Sequence, residues 1–229
     1  DPYVTYTKLM NKKDLPLSLL KKVNNIDFSS PVVKINLHLD RAPRFKALNK
    51  LLKIDNFQGT VHINPSIEYF DKAYQEAKDG QFSTAPFIEI TIPTLVDSSL
   101  APDGEHIMGI FSQFAPTKTT HLDLKSEKEA YAQRIFDIIE RYVTSFKKSI
   151  ISYEVLAPAD LEQIYGLTGG NIFHGAMTPK QLYSLRPFSG YAQHNTFVKG
   201  LYLCGAGTHP GGGVTGLPGK NAAATILTR

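Results

Sequence analysis

The stretch Val32-Val33-Lys34-Ile35-Asn36-Leu37-His38-Leu39-Asp40 sets the fold class. From Val33 onward its apolar residues alternate with Lys34, Asn36, His38 and Asp40. A period of two places the apolar set on the buried face of a strand and the polar set on the other. Reading outward, residues 60–64, 87–92 and 106–114 carry further strand signals, with Ile88, Ile90 and Ile92 sharing one face. A loop holding Pro93, Pro102 and Gly104 joins the last two. Ile67, Phe70, Tyr74 and Ala77 recur at helical spacing, with Asn64 read as N-cap, Pro65 as first helical residue and Gly80 as terminator. Ser126 and Glu129 read as the capping box of a longer helix whose stripe is Tyr131, Ile135, Ile138, Tyr142 and Phe146. Strands in pairs, each pair followed by a helix, predict an α+β fold: a mostly antiparallel sheet with helices on one face.

The chain has 229 residues, which at roughly 150 per domain means one large domain or two small ones. Apolar residues make up 42% and charged residues 20%, which excludes a disordered chain. One cysteine, Cys204, excludes an intrachain disulfide and a four-cysteine zinc site. No run of about 18 apolar residues is present, so no membrane span is expected. The net charge of +4 is spread over separated pairs such as Lys12-Lys13, Lys21-Lys22 and Lys147-Lys148. A nucleic-acid binder would mass such charge in a stripe, so none is expected as a partner. No targeting segment opens the chain, and its first residue is Asp1 rather than Met, which predicts a fragment or a processed product.

Glycine is unevenly spread. Gly59, Gly80, Gly104 and Gly109 precede residue 166, and the rest of the 17 fall between Gly166 and Gly219. The expected organisation is therefore residues 1–165 as one domain and 166–229 as a distinct segment. Within the latter, residues 200–204 (GLYLC) read as a short buried strand, followed by a glycine loop and a helix over 214–228 with Pro218 in its first turn. A loop leading into a helix amino terminus presents free N–H groups and the positive end of the helix dipole. That favours an anionic or flat, electron-rich group. Gly211, Gly213 and Gly216 match a dinucleotide spacing, but the chain ends before a second strand and an acidic residue could follow. Gly219-Lys220 is followed by Asn221, so a Walker loop fails.

Longer motifs carry more weight. GLYLCGAGTHPGGGVTGLPGKNAA (200–223), GLTGGNIFHGAMTPKQLYSLRP (166–187) and PFIEITIPTLVDSSLAPDGEHIMGIFSQFAP (86–116) resemble stretches of the phytoene desaturase-like FAD oxidoreductases. The resemblance runs from about residue 30 to the end. It implies a substrate-binding domain over 1–165 and, over 166–229, the carboxyl-terminal β-loop-α return of an FAD-binding Rossmann-like domain. It places Gly205 and Ala206 near the ribityl chain or pyrophosphate, and Gly212, Gly213, Val214 and Thr215 at the flavin-facing start of the last helix. It implies FAD as cofactor, hydride transfer to flavin N5, and an apolar or amphipathic small-molecule substrate. No protein acid or base is obligatory for that chemistry, and no catalytic residue is assigned.

The resemblance has one departure. The family opens with a strand, GxGxxG and an acidic residue, whereas residues 1–30 contain no glycine. The chain thus reads as a carboxyl-terminal half whose amino-terminal FAD domain is absent. Alone it is expected to be inactive and to bind FAD weakly or not at all. Two other readings stand: a non-catalytic ligand-binding or scaffold module, and a partner of a separate flavin-binding chain. Association with the missing domain or as a homo-oligomer would cover apolar surface. The expected location is the cytoplasm in a bacterium and the mitochondrial matrix in a eukaryote.

His174, flanked by Ile172-Phe173 and Gly175, and His209, inside THPGGG, are the candidate substrate-side residues, each with a structural alternative. Cys204 reads as a buried small hydrophobe. His38, His62, His106 and His121 show no metal-ligand spacing and read as surface or strand residues. Arg186 is weighed as a partner for an acidic group or the cofactor.

Overall fold

The computed structural model describes residues 1–29, 32–47, 53–116 and 124–228. His121, read above as a surface or strand residue, lies outside them. In chain order the main elements are helix α1 (Pro2–Val4, continued by a wider turn over Thr5–Leu9), α2 (Leu17–Asn24), strand β1 (Val32–Leu39), β2 (Arg44–Phe45) and β3 (Val61–Ile63). Then come α3 (Ile67–Lys78), β4 (Phe87–Thr91), β5 (His106–Gln113), α4 (Leu124–Glu140) and β6 (Val143–Thr144). The chain closes with β7 (Ile150–Leu156), α5 (Pro158–Tyr165) and α6 (Leu217–Leu227). The fold is α+β.

By packing, the chain forms two compact units: Pro31–Pro158, and Asp1–Ser30 together with Ala159–Arg229. Residues 1–30 therefore group with the glycine-rich segment and not with the sheet. No described helix is long and apolar enough to cross a membrane.

In the Pro31–Pro158 unit, five antiparallel strands lie in the order β3-β4-β5-β1-β7, and β2 pairs with β6 separately. The alternation of β1 is realised: Val33, Ile35, Leu37 and Leu39 are buried. They join Ile88, Ile90, Met108 and Ile110 in a core closed by Tyr131, Ile135, Phe136 and Ile139 of α4. Each such side chain contributes roughly 1.5–3 kcal/mol on burial, so this face specifies the register. The buried Tyr131 hydroxyl is satisfied by Ser112 Oγ at 2.8 Å, and burial pushes its ionisation well above the usual range.

The helix boundaries correct three expectations. Ser66, not Asn64, caps α3, its Oγ accepting from Tyr69 N at 3.2 Å. Helix α4 already includes Leu124, so Ser126 lies inside it and is not its N-cap. The same helix ends at Glu140, which leaves Tyr142 exposed and Phe146 buried in the turns beyond it.

The other unit is built on Tyr6, Leu19, Val23, Ile26 and Phe188, with little regular structure after α5. Here the expected strand over 200–204 is not formed; only a single bridge, Asn195 to Tyr202, remains. Gly200 at φ +83° and Gly205 at φ +146° break the extended run on both sides. Cys204 is exposed, correcting the buried reading. The α6 unit is therefore turn, loop and helix rather than strand, loop and helix, with Pro218 in the first turn as expected.

Candidate functional site

Without a sheet, the glycine-rich segment has many backbone groups that must find partners elsewhere. Arg186 supplies most of the answer. The residue is 1% exposed, and its guanidinium donates to five carbonyls. Nε reaches Ala206 O at 2.8 Å; one terminal nitrogen reaches Ala176 O and Gln181 O, each at 3.2 Å; the other reaches Phe173 O and Gly175 O at 2.5 and 3.0 Å. This fork clamps the 173–181 segment to the 206 turn. Its charge faces carbonyl dipoles, and it forms no ion pair with a carboxylate among the described residues. The pairing with an acidic group weighed for it is thus not what the structure contains. Burial lowers its pKa from the ordinary arginine value.

Two buried amides extend the scaffold. Asn171 Oδ1 accepts from Phe173 N at 2.9 Å and Gly175 N at 3.2 Å, while its Nδ2 donates to Phe28 O at 3.2 Å. Gln181 Nε2 donates to Asp27 O at 2.9 Å and Ala176 O at 3.1 Å, and its Oε1 accepts from Asp27 N at 2.9 Å. Sequence reasoning missed both. Their signal was a polar side chain inside an apolar segment with no periodicity, where side chains must replace the ladder bonds of regular structure.

The glycines divide into two kinds. A Cβ on Gly212 would come within 2.4 Å of Phe173 Cδ1, and one on Gly207 within 2.4 Å of Pro2 Cδ and 3.2 Å of His174 O. These glycines let the loops pack. By contrast, a Cβ on Gly205 meets nothing within 4 Å, and one on Gly213 meets only Thr215 Cγ2 at 3.8 Å. Gly213, at φ +123°, opens an exposed run through Val214, Thr215 and Gly216 into α6. Val214 is fully exposed with φ +55°, a conformation rare for a β-branched residue. The N-cap of α6 is Gly216; Thr215 Oγ1 accepts from Leu217 N at 3.2 Å, and Pro218 in the first turn has no N–H.

His174 is half-buried at φ +58°. Burial, and then the Arg186 charge, lower its pKa from the ordinary 6.5. It is therefore neutral at pH 7. His209 is partly buried, and its Nδ1 is enclosed without a hydrogen-bond partner. Ala206 offers the loop only its backbone, and its carbonyl is already engaged by Arg186.

An anionic, flat cofactor was the expectation for this loop. The residues fit it on three observations: open space beside Gly205 and Gly213, an exposed α6 amino terminus, and an orphaned nitrogen on His209. Arg186 adds a positive charge, held by carbonyls and with no carboxylate partner among the described residues, at the Ala206 turn.

No family model matches the chain. It is 41% identical over 232 residues to pyridine nucleotide-disulfide oxidoreductase domain-containing protein 2 of Rattus norvegicus, covering 99% of this chain and 40% of that protein. The Mus musculus protein of the same name gives 41% over 233 residues, with the same coverage. The chain is homologous to these proteins along its whole length. A 4,4'-diapophytoene desaturase (4,4'-diaponeurosporene-forming) of Staphylococcus aureus is 28% identical over 202 residues, covering 84% of this chain and 36% of that one. The resemblance seen in the three motifs thus extends beyond them. The chain spans about 40% of the length of the curated relatives named first.

Proposed function

We propose that this chain is part of an FAD-dependent oxidoreductase, its carboxyl-terminal half. In this reading residues 166–229 form the segment that closes on the cofactor, and the sheet-bearing part handles the substrate. The reading is supported by the relatives, whose names are those of an oxidoreductase-domain protein and a desaturase. The observation that carries it is the exposed run Gly213–Gly216 leading into the amino terminus of α6, with open space beside Gly213.

When bound, FAD supplies the hydride acceptor of such chemistry. The chain's own residues would bind and orient. Backbone N–H groups at the start of α6 and the glycine turn at Gly205 and Ala206 would face the anionic and electron-rich parts of the cofactor. Gly212 would keep the loop seated against Phe173, so that Gly213, Val214 and Thr215 present backbone rather than side chain. Arg186 would hold the two glycine segments in one geometry and add positive potential beneath them. Neutral His174 and the free Nδ1 of His209 would offer hydrogen bonds on the substrate side.

The test is the flavin absorbance band near ~450 nm, recorded for this chain and for a protein extended upstream to the length of the relatives. Flavin retained only by the extended protein is expected. Tight, stoichiometric flavin on this chain alone would overturn the half-site reading. Flavin on neither would overturn the flavoprotein reading in favour of a ligand-binding module.

A further inference from the structure

The sheet has a second face, which α4 does not cover. On β1 that face carries Lys34, Asn36 and His38. The register sets Lys34 opposite Phe111 of β5, and Asn36 opposite Gly109. On the far side of β5, Thr91 of β4 is the partner of Gly109. A glycine in the middle of a sheet leaves a hollow one side chain wide. Lys34 reaches into it: a Cβ built on Gly109 would come within 2.5 Å of Lys34 Nζ and 3.0 Å of Thr91 Oγ1. The amine has thus crossed from β1 over β5 towards β4.

This amine has no counter-ion among the described residues. The acids of the same face are engaged or elsewhere. Glu105 is bonded to His38; Glu89 of β4, opposite Phe111, lies 3.3 Å from His62 and makes no ion pair with Lys34. Glu154 stands beside Asn36 on β7, on the side the lysine turns away from. Thr91 Oγ1 has only a long contact of 3.5 Å to Gly109 O, so it remains a usable donor. The half-buried side chains of Phe87, Ile107 and Phe111 share the face. Desolvation lowers the Lys34 pKa from the ordinary lysine value, as expected for an amine without a carboxylate partner.

We propose that Lys34, Thr91 and the hollow over Gly109 form a recognition site for the carboxylate of a small amphipathic molecule, whose apolar part lies along Phe111 and its neighbours. Charge complementarity decides the occupant: an ammonium without a counter-ion among the described residues, beside a hydroxyl donor, suits a carboxylate, and the half-buried Phe111 and Ile107 of β5 suit an acyl chain. The site lies wholly within the sheet unit and needs no flavin, so it stands or falls separately from the reading above.

The experiment is calorimetric titration of the full chain with octanoate, octanol and acetate. Octanoate is expected to bind roughly tenfold more tightly than either of the others. Lys34→Met, which keeps the aliphatic stem, should erase the preference over octanol while thermal unfolding stays near that of the parent. Gly109→Ala, which fills the hollow, should weaken octanoate severalfold and serves as the independent variant if Lys34→Met unfolds. Octanoate no tighter than octanol, or a preference that survives in both variants, overturns the proposal. So does acetate binding as well as octanoate, or no binding of any probe.

Discussion

Replacing Arg186 by methionine tests whether the glycine-rich segment is held by one side chain. The substitution removes all five donated hydrogen bonds. Ala176 O keeps a donor in Gln181 Nε2, so four carbonyls lose theirs: Phe173, Gly175, Gln181 and Ala206. At 1–3 kcal/mol for each buried acceptor left without a donor, the ceiling is about 12 kcal/mol. Water entering the loosened loops and the recovered hydration of the guanidinium both reduce it. At about 1 kcal/mol for each of the four acceptors after that relief, about 4 kcal/mol is the expected loss. That rivals the whole stability of a small domain. The chain has no tryptophan, so the assay is scanning calorimetry with far-ultraviolet circular dichroism. The loss should fall on the unit containing Arg186, with the sheet transition unchanged. Arg186→Lys should lose nearly as much, because three donors on a flexible stem cannot replace a planar fork. A lysine variant within ~1 kcal/mol of the parent would refute the reasoning and show that charge, not the fork, holds the loops.

The remaining predictions concern single positions. The folded state holds the His174 pKa below the ordinary 6.5, mainly through burial. Its stabilising contribution is therefore complete above that value and is lost as pH falls below it. His174→Asn, which tolerates the left-handed backbone, should flatten the loss of stability between pH 6.5 and the folded pKa, read by denaturant midpoints at stepped pH. Gly212→Ala should destabilise by about 1–3 kcal/mol, because its Cβ would collide with the Phe173 ring. Gly219→Ala, inside α6 with nothing within 4 Å of its Cβ, should raise thermal stability by about 0.4–1 kcal/mol.

The sheet was legible because its rule is local. Alternation in β1 and the isoleucine rows of β4 name a buried face directly, and burial of that face fixes everything paired to it. Strand β7 was missed because its Ile151, Ser152, Tyr153 and Glu154 are all exposed, so an edge strand shows no period of two. The run at 200–204 was misread for the opposite reason. Its apolar residues fit a strand, but a ladder needs a neighbour, and the glycines on both sides turn the chain away from one. The candidate site was half legible. Gly205, Gly213, Val214 and Thr215 do lead into a helix amino terminus. Its scaffold of Arg186, Asn171 and Gln181 carried no sequence pattern, because their partners are backbone carbonyls and amides that any residue supplies.

The course of the chain between its two units has a consequence for the order of assembly. The sheet unit is one continuous stretch, so it can fold as soon as it leaves the ribosome. The other unit is split into Asp1–Ser30 and Ala159–Arg229, on either side of the sheet unit, and cannot close until the second stretch has been made. Joining its halves across an unfolded spacer of roughly 130 residues would cost about 4 kcal/mol of chain entropy. Once β1 and β7 have paired, with Lys34 facing Leu156, the points where the chain enters and leaves the sheet lie on adjacent strands. The folded sheet then acts as a clasp, turning a long closure into a short one, and a substitution that slows β1–β7 pairing should delay the glycine-rich unit as well.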